Sequence, residues 1–327
     1  MKTQIQLRRA TTAAALMLTA LVAGWVLPAS AETKLTVSKA AADPALVMAD
    51  WGKELGIFKK HDLDITVPTI VQAKMVQAVI GGSVDMALAS GATLAFIAKG
   101  APLKAVAALS GPPRILVLVV RPDENLASPD QLRGHTIAIT NFGSLTDWAV
   151  SQFVKSKGWN KDAVKLVAIG RTPAIIAAMK AKNVDGGVID IGAALNLEEH
   201  GDAKILVQFG DIIKNFQNQV IYASDKIIKD NPAAVKNFLA AWFETIAYAK
   251  SHKAETVAYL QKTIRYSPSV ANKAYDELFA TDFFSTDGVI DPKTIAAMTE
   301  NFIEQKQVAP GVDLMQYVTA DFLPGRK

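Results

Sequence analysis

Cysteine does not occur in the 327 residues. Its absence excludes a disulfide framework, thiolate zinc sites, iron–sulfur ligation, a thiol nucleophile and a lipid-modified N-terminal cysteine. Histidine is scarce: only His61, His135, His200 and His252 are present. No two stand three or four residues apart, and no His-Glu-x-x-His occurs, so no metal-ligating motif is on offer. His61 and His252 lie at charged helix ends and read as surface residues. Glycine-rich phosphate loops are missing as well, because Gly81-Gly82 and Gly186-Gly187 lack both the G-x-G-x-x-G spacing and a lysine. There is no Gly-x-Ser-x-Gly elbow, and the acids are scattered without an evident acid–base pair. No metal and no cofactor are expected, and the chain reads as a non-enzyme.

An excess of one charge is also lacking. The formal charge is +4, from 35 basic and 31 acidic side chains. Three of the basic residues, Lys2, Arg8 and Arg9, fall within the first nine. Without those three, 32 basic residues face 31 acids, a net of +1. A near-neutral chain gives no electrostatic case for nucleic acid.

What is present begins with an address. Lys2, Arg8 and Arg9 precede a mostly apolar run from Ala10 to Leu27, followed by Pro28-Ala29-Ser30-Ala31. A basic stretch, an apolar stretch and a small-x-small exit form a signal peptide over residues 1–31, cut after Ala31. An uncleaved anchor is the alternative, but the run is short for a span of about 20 residues. Arg8-Arg9 is followed by Ala-Thr-Thr rather than bulky apolar residues, which favours general secretion over the twin-arginine route. No other stretch suits a membrane span; Ile115–Val120 has the length of a buried strand. The expected destination is the periplasm of a Gram-negative cell.

The remaining chain is half apolar in character, with 50% hydrophobic and 20% charged residues overall, so it can bury a sizeable core. Its length suits about two domains. From Lys34, short apolar strands alternate with helical patterns, the signature of a parallel α/β sheet. Asp43-Pro44 predicts a helix start, with the helix ending before Gly56. After Arg121-Pro122 the alternation restarts. From Asn231 onward nearly all is helical, with starts at Asn231-Pro232, Ser267-Pro268 and Asp291-Pro292. Val84-Asp85 recurs as Val184-Asp185 at a spacing of 100, each after an alanine-rich helix and before an apolar strand. That weak repeat predicts two similar lobes: residues 32–120 plus 221–327, and 121–220 inserted through two hinge crossings. Two such lobes would face each other across a cleft and work as a clamp.

Open α/β sheets bind ligands beyond the carboxyl ends of their strands. The candidate residues there are small and polar, and each has a plain structural alternative. Asp43 caps a helix or meets a ligand. Ser90-Gly91 and Ser110-Gly111 form strand-end turns, or let a ligand approach free backbone N–H groups. Asn141, Gly143, Ser144, Leu145 and Thr146 lie where a strand passes through a glycine turn into a helix. Ser144 and Asp147 fit a capping box, and the hydroxyl-lined helix start suits an anion or polar group. Arg171 can balance an anionic ligand or sit solvated. Asp190, the repeat partner of Ser90, can accept from a ligand amine or hydroxyl, or cap the next helix. Trp51, Trp148 and Trp242 read as core rather than stacking platforms.

The residues Gly56-x-Phe58 leading to Leu63–Val67, Gln77-Ala78-x-x-Gly81 to Val84-Asp85, and Ser128-Pro129-Asp130-x-Leu132-x-Gly134-x-Thr136-Ile137-Ala138 resemble a known family. So do Ala177-Ala178-Met179 to Val184-Asp185 and the Asn231-Pro232 helix. The family is the periplasmic solute-binding proteins for nitrate, sulfonates, taurine and thiamine precursors. The resemblance implies a two-lobed type II periplasmic binding protein fold, each lobe a mixed sheet flanked by helices, with the ligand cleft between lobes. It implies a monomer that captures a small-molecule ligand and delivers it to the membrane permease and ATPase subunits of an ABC importer. It places ligand contacts at Asp43, Ser90-Gly91, Ser110-Gly111, Gly143–Thr146 and Asp190. The strand-end loops themselves show no basic residue of the kind an inorganic anion would need. An organic solute with polar ends, sulfonate-like or otherwise polar or anionic, fits better. Thiamine-pyrimidine binding, or a pyrimidine synthase of the same fold, is the alternative; such synthases rely on histidine and cysteine.

Overall fold

The computed structural model describes residues 32–325 apart from 71 and 215. The expected signal segment and its cut lie outside the described residues. Two five-stranded sheets organise the rest. The first is built from β1 (Thr33–Lys39), β2 (Leu63–Thr66), β3 (Met86–Ser90), β4 (Leu103–Ser110) and β10 (Gln219–Ser224), in the order β2-β1-β3-β10-β4. The second is built from β5 (Leu116–Val120), β6 (Thr136–Ile139), β7 (Lys165–Ala168), β8 (Gly186–Asp190) and β9 (Lys204–Gln208), in the order β7-β6-β8-β5-β9.

The two orders match strand for strand. β1 and β6 each run parallel to both neighbours, while β10 and β5 occupy the same place and run antiparallel to theirs. The sheets are therefore mixed rather than wholly parallel. The reason lies in the connections: β5 is the first strand built after the chain leaves the first sheet, and β10 the first after it returns. Both are buried along nearly their whole length, as strands covered on two faces must be, and so read as continuous apolar runs.

The Val-Asp repeat has a structural job. The Asp85 carboxylate accepts from the Thr36 N–H at 2.8 Å, and Asp185 accepts from Thr136 at 2.7 Å. The N–H groups of Asp85 and Asp185 in turn donate to the carbonyls of Thr36 and Thr136. Each aspartate thus locks the entry of its strand onto the neighbouring one.

The crossings fall earlier than the sequence suggested. β5 pairs with β8 and β9, so Leu116–Val120 belongs to the second sheet and not to the first. The chain leaves the first sheet after Ser110 and regains it at Gln219, which makes the crossings 111–115 and 209–218. Arg121-Pro122 ends a strand inside the second lobe, where Pro122 starts a short 3₁₀ turn.

Helices cover both sheets. They are α1 (Met48–Glu54), α2 (Ile57–Lys60), α3 (Gln72–Ile80), α4 (Thr93–Ile97), α5 (Leu145–Ser156), α6 (Thr172–Lys180), α7 (Ile191–Glu199) and α8 (Phe209–Ile212). After β10 come α9 (Asp225–Asp230), α10 (Pro232–Ser251), α11 (Lys253–Ile264), α12 (Pro268–Leu278) and α13 (Pro292–Glu304). The expected N-caps are in place: Asn231 accepts from Ala234, Ser267 from Val270 and Asp291 from Lys293. α1 is a correction. Regular helix starts at Met48, and 44–47 form a tighter turn with i to i+3 bonds from Met48 and Ala49. α12 packs against α7, giving the second lobe a wall drawn from the C-terminal third. One buried cluster joins the lobes, running from Leu103 and Ala105 through Phe209 and Phe216 to Leu118 and Phe153. Trp51 and Trp242 are core residues, as read. Among the described residues no helix is long and apolar enough to cross a membrane.

Candidate functional site

The carboxyl ends of β1, β3 and β4 carry the candidate residues of the first lobe. Asp43 follows β1, and one of its oxygens, Oδ1, accepts the N–H groups of Ala45 and Leu46, each at 2.9 Å. The other, Oδ2, accepts from the Gln219 amide at 3.2 Å. Asp43 therefore caps its turn and still reaches the strand ends; the two roles are not exclusive. It keeps a narrow window to solvent, yet protein surrounds it closely. Burial pushes its carboxyl up to about 6, against the pull of the Leu46 and Ala45 N–H groups and Gln219, and with a further push from Asp190.

Ser110 stands one step behind. It is fully buried, its hydroxyl donates to Gln219 at 3.3 Å, and its carbonyl accepts from Gln217 at 2.6 Å. It positions Gln219 rather than facing the cleft. Gly91 is tightly packed. A Cβ there would lie 2.2 Å from the Gln217 carbonyl oxygen and 2.7 Å from Met298, so close packing alone requires glycine. Gly111 has open space at the corresponding position and bonds through its backbone to Phe283 and Asn218. Ser90 is half-buried, and its carbonyl accepts from the Tyr222 hydroxyl at 2.9 Å.

In the second lobe, Ser144 caps α5 as read. It accepts from the Asp147 N–H at 3.4 Å, while the Asp147 carboxylate accepts from Gly143 at 2.7 Å. The hydroxyls of Thr140, Ser144 and Thr146 bond one another at 2.8–2.9 Å. Thr146 also accepts from the Thr140 N–H at 2.9 Å and is buried. These hydroxyls are largely consumed within the loop. Asn141 is exposed and serves the turn through its carbonyl, which accepts from Ser144. Ser90, Gly143, Ser144 and Leu145 do converge across the lobes, around a cavity of about 70 Å³ closed by Trp148, Phe216 and Phe302. Gln307 seals its edge by donating to the Gly143 carbonyl at 3.3 Å. A larger hollow of about 660 Å³, between Lys99 and Pro310, lies away from the strand ends.

Asp190 ends β8, exposed, and caps α7 by accepting from Ala193 at 2.9 Å. Its second oxygen accepts from the Thr172 hydroxyl at 3.1 Å. Arg171 is exposed beside it and has no side-chain partner among the described residues.

Three contributors escaped sequence reasoning. Gln219 bonds Asp43 from a strand 176 residues away. Trp148 is half-buried and packs against Phe216 with ring centroids 4.6 Å apart and planes tilted by 32°, lining the small cavity rather than only the core; its spacing of four from the Ser144 cap was the available signal. Tyr266 joins α11 to α12, and its hydroxyl lies 1.8 Å from where a Cβ on Gly192 would stand. Burial raises its phenol, with smaller pushes from Asp190 and Asp43. Nothing near Tyr266 in the sequence marked it.

One grouping among the described residues has metal-ligand character: Glu124, His135 and Asp185. The Arg121 guanidinium bonds Glu124 and stands 3.8 Å from Asp185, while His135 Nδ1 is 3.5 and 3.4 Å from the two acids. With a fixed cation already inside, the cluster is an ion network at the base of the second lobe.

Comparison with known proteins bears on the family and the fold. The family model described as NMT1/THI5 like matches residues 48–256. The aliphatic sulphonate binding protein SsuA of Escherichia coli superposes with a TM-score of 0.72 at 19% identity, covering 88% of this chain and 92% of that one. SsuA of Xanthomonas axonopodis pv. citri, bound to MOPS, gives 0.69 at 18%, covering 88% and 98%. The nitrate-binding protein NrtA of Synechocystis PCC 6803 gives 0.64 at 14%, covering 89% and 87%. At these identities the likeness is one of fold. A 4-amino-5-hydroxymethyl-2-methylpyrimidine phosphate synthase of Candida albicans (strain WO-1) is 28% identical over 225 residues, which span 62% of this chain and 63% of that protein.

Proposed function

The chain belongs to the NMT1/THI5-like family, and from that premise we propose that it is the solute-binding component of an ABC importer. It would work in the periplasm after removal of residues 1–31, as a monomer that closes on a small organic solute and hands it to the permease and ATPase subunits. The observation that carries this reading is the pair of equivalent sheets, whose strand ends bring Ser90 of one lobe and Gly143, Ser144 and Leu145 of the other around one cavity. Groups contributed by two lobes bind a solute best when the lobes are shut, so capture and closure are one event.

The synthase relative supports a second reading, in which the cleft acts on a pyrimidine. The chain has no cysteine, and none of its four histidines is among the cleft residues. A binding role without turnover accords with that inventory. Native mass spectrometry of the protein purified from the periplasm tests the proposal. A retained small solute, released unchanged, supports capture; a solute converted on incubation supports the enzyme. Edman sequencing of the same sample should begin at Glu32, and a chain still starting at Met1 in the membrane fraction would refute export and processing.

A further inference from the structure

The cavity of about 70 Å³ shared by Ser90 of the first lobe and the 143–145 turn of the second has no charged side chain in its lining among the described residues. Trp148, Phe216 and Phe302 wall it. The start of α5 on that turn would ordinarily draw an anion to its free N–H groups. Here the chain supplies the anion itself: the Asp147 carboxylate accepts the Gly143 N–H at 2.7 Å. The Ser144 and Thr146 hydroxyls bond to each other and to Thr140. At the far edge, the Gln307 amide donates to the Gly143 carbonyl and to the Gln305 side chain. Two lining side chains, the Ser90 hydroxyl and the Asn301 amide, have no hydrogen-bond partner among the described residues, and both are neutral. An acidic head placed in this cavity would lose water, find no cation and share its turn with Asp147. Burying an ion without a partner is strongly unfavourable. An uncharged apolar end meets three rings instead.

Resting on the solute-capture reading, we infer that the cavity receives the uncharged, apolar end of the solute, while any charged end stays outside it. Its volume holds roughly two groups of water size, at ~30 Å³ each, so the inserted end is short, about two or three carbons. A charged end has room in the neighbouring hollow of about 420 Å³, which shares Trp148 and Asn301 with the cavity and carries Lys155, Lys214, Glu300 and Glu304. Both lobes contribute wall, so burial of the apolar end favours the shut form over the open one, and that is the differential interaction closure requires. The class is therefore small organic solutes with one neutral alkyl or ring-edge end. Inorganic anions and solutes charged at both ends are rejected.

Calorimetry and thermal shift test this with probes that share one end and differ at the other: propanesulfonate against homotaurine, and propylamine against trimethylenediamine, with nitrate and sulfate alongside. Propanesulfonate and propylamine should bind and raise the melting temperature; the doubly charged probes and the inorganic anions should not. Ala92 lines the cavity from the start of α4, where its side chain makes no cap hydrogen bond. Ala92→Leu fills the space without removing a cap, so the fold should hold, and melting without probe verifies this. The variant should weaken binding of the propyl probes roughly tenfold, the worth of about two buried methylenes. The comparison of probes on the wild type stands however the variant folds. A doubly charged probe or an inorganic anion that binds as well as the propyl probes overturns the inference. So does silence of both propyl probes, or a folded Ala92→Leu that binds them undiminished. Capture itself is judged separately: a native solute charged at both ends, bound with closure, would leave capture standing and remove the neutral end.

Discussion

At the scale of single residues, Asp43 shows what burying a carboxylate costs the protein that holds it. Its carboxyl sits near 6 in the folded chain against 3.8 in the open one, chiefly because burial disfavours the charge. A raised value means the folded state holds the proton more tightly. The group's favourable contribution is present below about pH 4 and is lost as pH rises towards 6, at no more than about 1.4 kcal/mol per unit. Other acids act in reverse: Lys182 and Arg121 hold Asp123 down to about 2, so the whole stability curve is not diagnostic. The difference between wild type and Asp43→Asn is. Urea unfolding at several values between pH 4 and 6.5 should show the wild type losing ground to the variant as pH rises; parallel profiles would count against the assignment. Gly91 is the second residue-scale case. Gly91→Ala drives a methyl into the Gln217 carbonyl and Met298, and overpacking of this kind costs about 1–3 kcal/mol. Urea unfolding measures it, and an unaffected variant would show that Gln217 can retreat. Asp43 and Asp190 were legible as acids at strand ends. Gln219 was not, because a residue far along the chain reaches Asp43 only through packing.

At the scale of elements, the capping residues were the most readable feature. Ser144, Asn231, Ser267 and Asp291 each accept the N–H their motif calls for. Ser144→Ala should lower stability by about 0.5–2 kcal/mol, and it also removes one of three mutually bonded hydroxyls. If stability falls while solute affinity holds, the loop is a cap and not a contact. The Val-Asp repeat was visible as a spacing of 100, but its role was not, since a carboxylate locking a neighbouring strand's N–H is a tertiary event. Asp85→Ala and Asp185→Ala should each cost about 1–3 kcal/mol, because each orphans a partly buried N–H. Chemical denaturation measures both, and Asp185→Ala should lose the more, because Asp185 also faces Arg121 and His135. Strand direction was beyond reach: the apolar runs of β5 and β10 read the same whichever way they pair.

At the scale of the whole molecule, two short crossings connect the lobes, and they are tied together. Arg114 on the first approaches Asp211 on the second at 3.1 Å, with Glu277 and Asp282 at 3.8 and 3.7 Å. Gly210 fits against Arg114 so closely that a Cβ would lie 2.4 Å from its side chain. A tied pair of crossings restricts relative motion to a hinge. On binding, the radius of gyration from small-angle scattering should fall, and stability should rise by about 2.7 kcal/mol at a hundredfold excess of solute over its dissociation constant. Scattering unchanged at saturation, from a free protein shown to be open, would sink closure.

Local chemistry settles what short stretches of chain can settle alone. Apolar alternation, caps and the paired Val-Asp turns determined the element sequence, the two-lobed plan and the strand-end location of the acids, because each depends on neighbours within a few residues. Which sheet claims Leu116–Val120, why Gly91 must be small, and which groups meet Asp43 depend on distant segments. Tertiary structure alone decided these, because pairing, packing and electrostatic reach act through space rather than along the chain.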